Sequence, residues 1–198
     1  MRKIGITGKA NTGKNTVAKL LAKGLTDDVT GDRPQFIAFA DPIKKMVKLS
    51  FPEIPNKWLY GSSKYRSEII PGAFKDGVPL TVRQALMDLG NDFGRRYQSD
   101  IWIHNFDARF RKLIKKNILG IVVTDCRFRN EFDYLKDLDF FQIRILRDDH
   151  AKIDDESETN QDGILDSEFD AVIRNNGTKE ELREQVVKIV AEIAQHYP

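Results

Sequence analysis

One cysteine in 198 residues, Cys126, excludes an intrachain disulfide and suits a reducing compartment. Histidine is nearly as scarce, and His104, His150 and His196 are too scattered to suggest a metal site or a catalytic dyad. No apolar run approaches the length of a membrane span. The N-terminus runs straight into a strand pattern, so no signal peptide is expected. The net charge is only +2, which does not imply nucleic-acid binding and leaves room for a local basic patch. No internal repeat and no low-complexity tract is present. What remains is a cytoplasmic globular protein, 40% hydrophobic and 31% charged, long enough for one domain with a full core.

The most informative segment lies near the N-terminus. Gly8-Lys9-Ala10-Asn11-Thr12-Gly13-Lys14 follows a short apolar stretch and precedes a helical pattern of Val17, Leu20, Leu21 and Leu25. Glycines at the first and sixth positions admit backbone angles and close approaches that a Cβ would block. Successive amide N–H groups can then cradle phosphate oxygens, reinforced by the positive end of the following helix. Lys14 would reach the β- and γ-phosphates. The next position, usually a Ser or Thr that ligates Mg²⁺, is Asn15, and a hydroxyl follows at Thr16. This pattern predicts a site for a nucleoside triphosphate.

The rest of the chain alternates strand and helix. Strands are expected at 3–7, 35–39, 118–125, 140–146 and 171–174. Helices are expected at 13–24, at about 42–49, from Thr81, at about 100–116, and from Thr178 to the end. Such alternation predicts a three-layer α/β fold, a parallel sheet flanked by helices. Residues 51–80, dense in Pro and Gly, read as an irregular insertion with a basic character from Lys57, Lys64, Arg66 and Lys75. In the helix from Thr81, the spacing assigns Val82, Leu86, Leu89 and Phe93 to the buried stripe. Its second face carries Arg83, Met87, Gly90 and Gly94, suited either to a neighbouring helix packing on the glycines or to a ligand phosphate held by Arg83. The helix at 100–116 is expected to bury Ile103, Phe106, Phe110, Leu113 and Ile114. The run Ile118 to Thr124 reads as a doubly buried strand ending at Asp125. An acid there lies where open α/β sheets bind ligands, a place for acting on Mg²⁺ or for capping a helix. Arg127, Arg129 and Arg147 follow predicted strand ends, where guanidinium groups can stabilise a transferring phosphoryl group.

With these residues in hand, the chain resembles the bacteriophage deoxynucleoside monophosphate kinases, a branch of the P-loop nucleoside monophosphate kinase fold. The resemblance rests on Gly13-Lys14-Asn15-Thr16, on Ala40-Asp41-Pro42-Ile43-Lys44, and on Arg83 to Asn91 with Trp102 beyond. It also rests on Thr124-Asp125-Cys126-Arg127 with Glu131, and on Phe169 to Thr178. It implies one kinase domain over 1–198, with an acceptor-side insertion at about 51–80 and a mobile acidic loop at about 148–166. Gly8, Asn11, Thr12, Gly13, Lys14, Asn15 and Thr16 would hold the phosphates of ATP, with Thr16 and Asp125 serving Mg²⁺. Arg83, Gly90, Asn91 and Trp102 would line the acceptor site, with Asp41 and Lys44 beside them. Arg127 would stabilise the transferring group and Glu131 would orient its neighbours. Asn15 stands where members often carry Asp, and Asn91 where Thr is expected. The family's His-x-Ser/Thr-Glu motif corresponds to Asp155-Glu156-Ser157-Glu158, without the histidine. That segment lies in 148–166, where eight acids and one lysine read as a solvated cover.

The resemblance implies transfer of the ATP γ-phosphate to a deoxynucleoside monophosphate. No stable nucleic-acid or membrane partner is expected, a homodimer is compatible, and the host cytoplasm is the setting if the gene is a phage's. Two other functions fit the same loop. One is a kinase for another small acceptor such as dephospho-coenzyme A. The other is a nucleotide-dependent binding protein that phosphorylates no acceptor.

Overall fold

The computed structural model describes residues 1–27, 29–116, 118–149 and 159–198. Its strands are β1 (Arg2–Thr7), β2 (Gln35–Phe36), β3 (Ile69–Lys75), β4 (Val78–Thr81), β5 (Gly120–Cys126), β6 (Phe141–Leu146) and β7 (Ala171–Arg174). Among the described residues the helices are α1 (Lys14–Gly24), α2 (Asp41–Ser50), α3 (Asn56–Tyr60), α4 (Val82–Met87), α5 (Ile101–Ile114), α6 (Arg129–Asp137) and α7 (Lys179–His196). The chain divides into two compact units, residues 1–38 with 108–198, and residues 39–107.

The first unit is built on a five-stranded, all-parallel sheet in the order β2-β5-β1-β6-β7. Parallel strands covered on both faces read as continuous apolar runs, which is why β5 was legible as a strand. Ile4, Ile6, Val122, Ile143, Ile145 and Ile173 pack with Val17 and Leu21 of α1 and with Leu182, Val186, Ile189 and Ile193 of α7. The α7 start is set by a capping box. Thr178 Oγ1 accepts the Glu181 N–H at 3.2 Å, and Glu181 Oε2 accepts the Thr178 N–H at 2.7 Å. The connection from β1 runs toward β2 and that from β6 toward β7, so the strand order switches between their carboxyl ends, the place where open α/β sheets bind ligands. β2 is shorter than the expected 35–39. Gln35 and Phe36 pair with β5, the Ile37 N–H adds one bond to the Val122 carbonyl at 3.2 Å, and Phe36 is an exposed edge residue.

The second unit corrects the reading of residues 51–80 as irregular. They hold α3, a 3₁₀ turn at Ser63–Ser67, and the antiparallel hairpin β3–β4. Ile54, Leu59 and Ile70 form a small core with Val47, Val82 and Ala85. The hairpin turns at Asp76-Gly77, whose φ values of 52° and 78° are those of a type I′ turn. The basic residues of this segment have local partners: Lys75 pairs with Asp88 at 2.8 Å, and Lys57 and Lys64 lie over the Tyr65 ring.

Beyond α4 the helix widens into a π-helical stretch, Asp88–Arg95. Its i→i+5 bonding takes an extra residue into each turn, so the 3.6-residue phase is lost. Phe93, expected in the buried stripe, is 57% exposed, while Gly90 and Gly94 are buried. In α5, Ile103, Phe106 and Phe110 are buried as expected. Ile114 is 45% exposed, because the last turn runs past the Phe110–Phe140 ring contact at 5.6 Å.

Candidate functional site

The segment between β1 and α1 has the backbone of an anion cradle. Asn11 and Gly13 both take positive φ, 62° and 102°, and α1 begins directly after Gly13. At Gly8, a Cβ would lie 2.7 Å from the Ile145 carbonyl oxygen and 2.8 Å from Thr12 Oγ1, so only glycine lets β6 run this close. Thr12 is 2% exposed, and its hydroxyl donates to the Lys9 carbonyl at 2.9 Å. The Lys14 ammonium arches back over the loop, donating to the carbonyls of Gly8 and Lys9. Asn15 and Thr16 are exposed in the first turn of α1. The loop therefore brings the Lys14 ammonium, the exposed Thr16 hydroxyl and a helix N-terminus together, a set suited to phosphate.

Asp125 stands next to this loop through the sheet. Gly5 pairs with Val123 and Thr7 with Cys126, so three residues of β5 oppose two of β1. That bulge takes Asp125 out of the alternation set by Ile121 and Val123, and bulges of this kind re-aim a side chain. Two residues on comes Arg127, half-buried in the turn before α6. Glu131, 2% exposed, turns its carboxylate back to this turn. Its Oε2 accepts the N–H of Arg127 at 2.8 Å and of Phe128 at 3.2 Å. Arg129 is committed elsewhere, to Asp133 and Glu168 at 2.9 Å each, and these two acids push its pKa up.

The expected acceptor-side residues belong to the second unit. Asp41 and Lys44 sit in the first turn of α2 with Asp41 Oδ1 and Lys44 Nζ 3.4 Å apart. The Lys44 ammonium lies 5.5 Å over the Tyr60 ring. Burial, with Asp41 nearby, pushes the Tyr60 hydroxyl pKa up. The helix α2 packs on α4 and on the π-helical stretch, which carry Arg83, Gly90 and Asn91. Arg83 is half-buried and makes no hydrogen bond or ion pair among the described residues. The two glycines are explained by packing. A Cβ on Gly90 would lie 3.2 Å from Ile43 Cδ1, and one on Gly94 would lie 2.1 Å from Trp102 Cζ2. Trp102 is 5% exposed, and its indole N–H donates to the Gly90 carbonyl at 2.8 Å, so it props the widened helix from within.

The acidic segment also takes on structure where it is described. Asp155 to Glu158 lie outside the described residues. Residues 160–168 form two 3₁₀ turns with Gln161 and Ile164 buried, and their acids are paired: Asp162 with Lys9 at 2.8 Å, Asp166 with Arg144 at 3.1 Å. Asp162 and Asp166 stay exposed to solvent, as the reading of a solvated cover expects, while their carboxylates also meet basic partners on the loop and the sheet. One further residue, absent from the expected set, touches the cradle. Asn175, just past β7, donates its side-chain N–H to the Thr12 carbonyl at 2.8 Å across 163 residues of sequence.

A family model for deoxynucleotide monophosphate kinase matches residues 62–186 of the chain. A protein of Acanthamoeba polyphaga mimivirus named "Putative deoxynucleotide monophosphate kinase" is 31% identical over 204 aligned residues, covering 97% of each chain. Among solved structures, an unliganded sugar kinase from Janibacter sp. HTCC2649 aligns with all of this chain and 96% of its own at 14% identity and a TM-score of 0.43. Among the described residues no helix is long and apolar enough to cross a membrane. The sequence order of cradle, strand-end acid and arginine turn, together with these matches, identifies the chain as a member of the deoxynucleotide monophosphate kinase family.

Proposed function

We propose that the protein transfers the γ-phosphoryl group of ATP to a deoxynucleoside monophosphate, giving ADP and a deoxynucleoside diphosphate. The observation that carries this reading is the Gly8–Thr16 cradle with Lys14 over its mouth, in a chain of this family. Backbone N–H groups of Gly8, Asn11, Thr12 and Gly13 hold the donor phosphates. The Lys14 ammonium exchanges the loop carbonyls for phosphate oxygens when nucleotide enters. Arg83, whose side chain has no partner among the described residues, takes the acceptor phosphate, and Asp41, Lys44 and Asn91 border the acceptor. Gly90 and Trp102 contribute by shaping the helix that carries these groups.

An acceptor phosphate oxygen attacks the γ-phosphorus while the bond to the β–γ bridging oxygen breaks, and that oxygen leaves as part of ADP. The acceptor is already ionised near neutral pH, so no strong base is required; positioning and charge neutralisation dominate. Arg127 stabilises the charge on the equatorial oxygens, and Glu131 holds the turn that carries it. Among the described residues no three or more His, Cys, Asp or Glu side chains gather as a metal cage. One carboxylate, Asp125, and one hydroxyl, Thr16, suit an ion that arrives with the nucleotide and keeps most of its waters. Mg²⁺ bound in this way would neutralise the β- and γ-oxygens. Asn15 adds no charge to that set.

Product analysis with ATP labelled in the γ-phosphate tests this reading. Label in the deoxynucleoside diphosphate, dependent on added acceptor, is the expected result. Label released only as inorganic phosphate, whatever the acceptor, would contradict it.

A further inference from the structure

We infer that Asn175 is a positioning residue for the donor cradle, setting the peptide plane between Thr12 and Gly13; the inference rests on the donor-site reading above. Asn175 is anchored on both sides. Its backbone N–H donates to the Leu146 carbonyl at 2.8 Å, tying the ends of β6 and β7, and its side-chain N–H donates to the Thr12 carbonyl at 2.8 Å. In a trans peptide the C=O and the following N–H point in opposite directions, and no peptide bond among the described residues is cis. Holding the Thr12 carbonyl on Asn175 therefore aims the Gly13 N–H away from Asn175.

Gly13 makes this control necessary. Its φ of 102° lies where glycine moves freely, so the plane before it has little steric restraint of its own. A Cβ at Gly13 would lie 2.4 Å from Asn175 Nδ2, so the amide occupies the space a side chain would have filled. Thr12 adds a second restraint through its buried hydroxyl on the Lys9 carbonyl. Without Asn175, the Thr12–Gly13 plane can rotate, and the cradle loses a preset donor before nucleotide arrives.

The neighbouring Asn176 provides a matched control. Its amide exchanges hydrogen bonds with Asp148, at 2.9 Å in each direction. Binding of Mg-ATP to the full chain is measured by titration calorimetry for the wild type, Asn175→Ala, Asn175→Asp and Asn176→Ala, with Tm recorded for each. The expected loss for Asn175→Ala is about fivefold to tenfold in Kd, the worth of one hydrogen bond. Asn175→Asp has the same shape but presents an acceptor to the Thr12 carbonyl, and it weakens binding further. Asn176→Ala stays within about twofold of the wild type, although it loses two side-chain hydrogen bonds from the same turn where Asn175→Ala loses one. In turnover the Asn175 variants raise KM for ATP more than they lower kcat. If Asn175→Ala does not fold, the isosteric Asn175→Asp carries the test. Wild-type affinity in both Asn175 variants, or equal weakening by Asn176→Ala, overturns the inference. A wild type that binds no Mg-ATP overturns the donor-site reading instead.

Discussion

The Glu131 carboxylate accepts the backbone N–H of Arg127 at 2.8 Å, four residues earlier in the chain. With Phe128 as a second donor at 3.2 Å, one buried oxygen fixes the turn between β5 and α6. A carboxylate accepting from main-chain donors is roughly twice as strong as a neutral acceptor, and no water competes at 2% exposure. Glu131 thus acts on the Arg127 turn through the backbone.

Replacing Glu131 by Ala leaves two buried N–H groups without this acceptor, which costs about 1–3 kcal/mol of stability. Turnover falls by about tenfold or more through displacement of Arg127, the scale of a misplaced catalytic group. Glu131→Gln, which keeps an acceptor oxygen, restores part of both. Urea unfolding and steady-state kinetics on the three proteins check this. Wild-type kcat in the alanine variant would remove the link between the two residues.

Arg83 has no partner among the described residues, so its loss leaves the fold nearly untouched, within about 0.5 kcal/mol. The account predicts that Arg83→Ala raises KM for the acceptor by about tenfold or more, as expected for one charged phosphate contact, and leaves Kd for ATP unchanged. Arg83→Lys recovers less than a full charge replacement would, because lysine lacks the bidentate fork. Kinetics with varied acceptor at saturating ATP measure the effect. An unchanged acceptor KM would take Arg83 out of the site.

The tight turn into α1 was legible from sequence because glycines at that spacing permit its backbone angles, and the place of Asp125 because a buried parallel strand is a plain apolar run. The hairpin β3–β4 was obscured by Pro71, Gly72 and Pro79, although Asp76-Gly77 is itself a hairpin turn signal. Ile54, Leu59 and Ile70 are too far apart for periodicity to reveal their shared core. Phe93 was misassigned because its helix changes from α to π, and a pattern counted at 3.6 residues fails beyond Asp88. Asn175 carries no local signal, since its contact is made only by the sheet order that brings β7's end to the loop.

The glycine at position 94 is required by the ring of Trp102. A Cβ there meets Cζ2 at 2.1 Å, and the indole cannot shift without losing its bond to the Gly90 carbonyl. Gly94→Ala is therefore expected to destabilise the protein by about 1–3 kcal/mol and to move the tryptophan emission. Trp102→Phe, which removes the N–H but relieves no clash, costs about 1 kcal/mol for the hydrogen bond, plus lost packing. Thermal melts with fluorescence detection separate the two. An alanine variant as stable as the wild type would contradict the packing account.

Tyr197 closes the C-terminus onto the sheet. Its hydroxyl accepts the Phe141 N–H at 3.1 Å and lies in donor reach of the Lys3 carbonyl at 2.9 Å and the Asp139 carbonyl. Burial, chiefly, pushes its pKa up to about 12, whereas the unfolded side chain titrates near 10. The folded state then holds the proton more tightly, so this contribution is fully present below pH 10 and is lost as pH rises through 12. Tyr197→Phe is predicted to be less stable than the wild type by about 1 kcal/mol at pH 8, a gap that narrows above pH 10. Urea unfolding of both proteins at pH 8 and pH 11 tests it. A gap that widens with pH would reverse the sign.

We propose that ATP held by the Gly8–Thr16 cradle donates its γ-phosphoryl group to a deoxynucleoside monophosphate. The most direct measurement is ADP formation from Mg-ATP with each of the four deoxynucleoside monophosphates supplied separately, beside a folded Lys14→Ala variant. The account predicts ADP that appears only with acceptor and is nearly abolished in the variant. ADP formation that ignores the acceptor, or that survives the loss of Lys14, would contradict it.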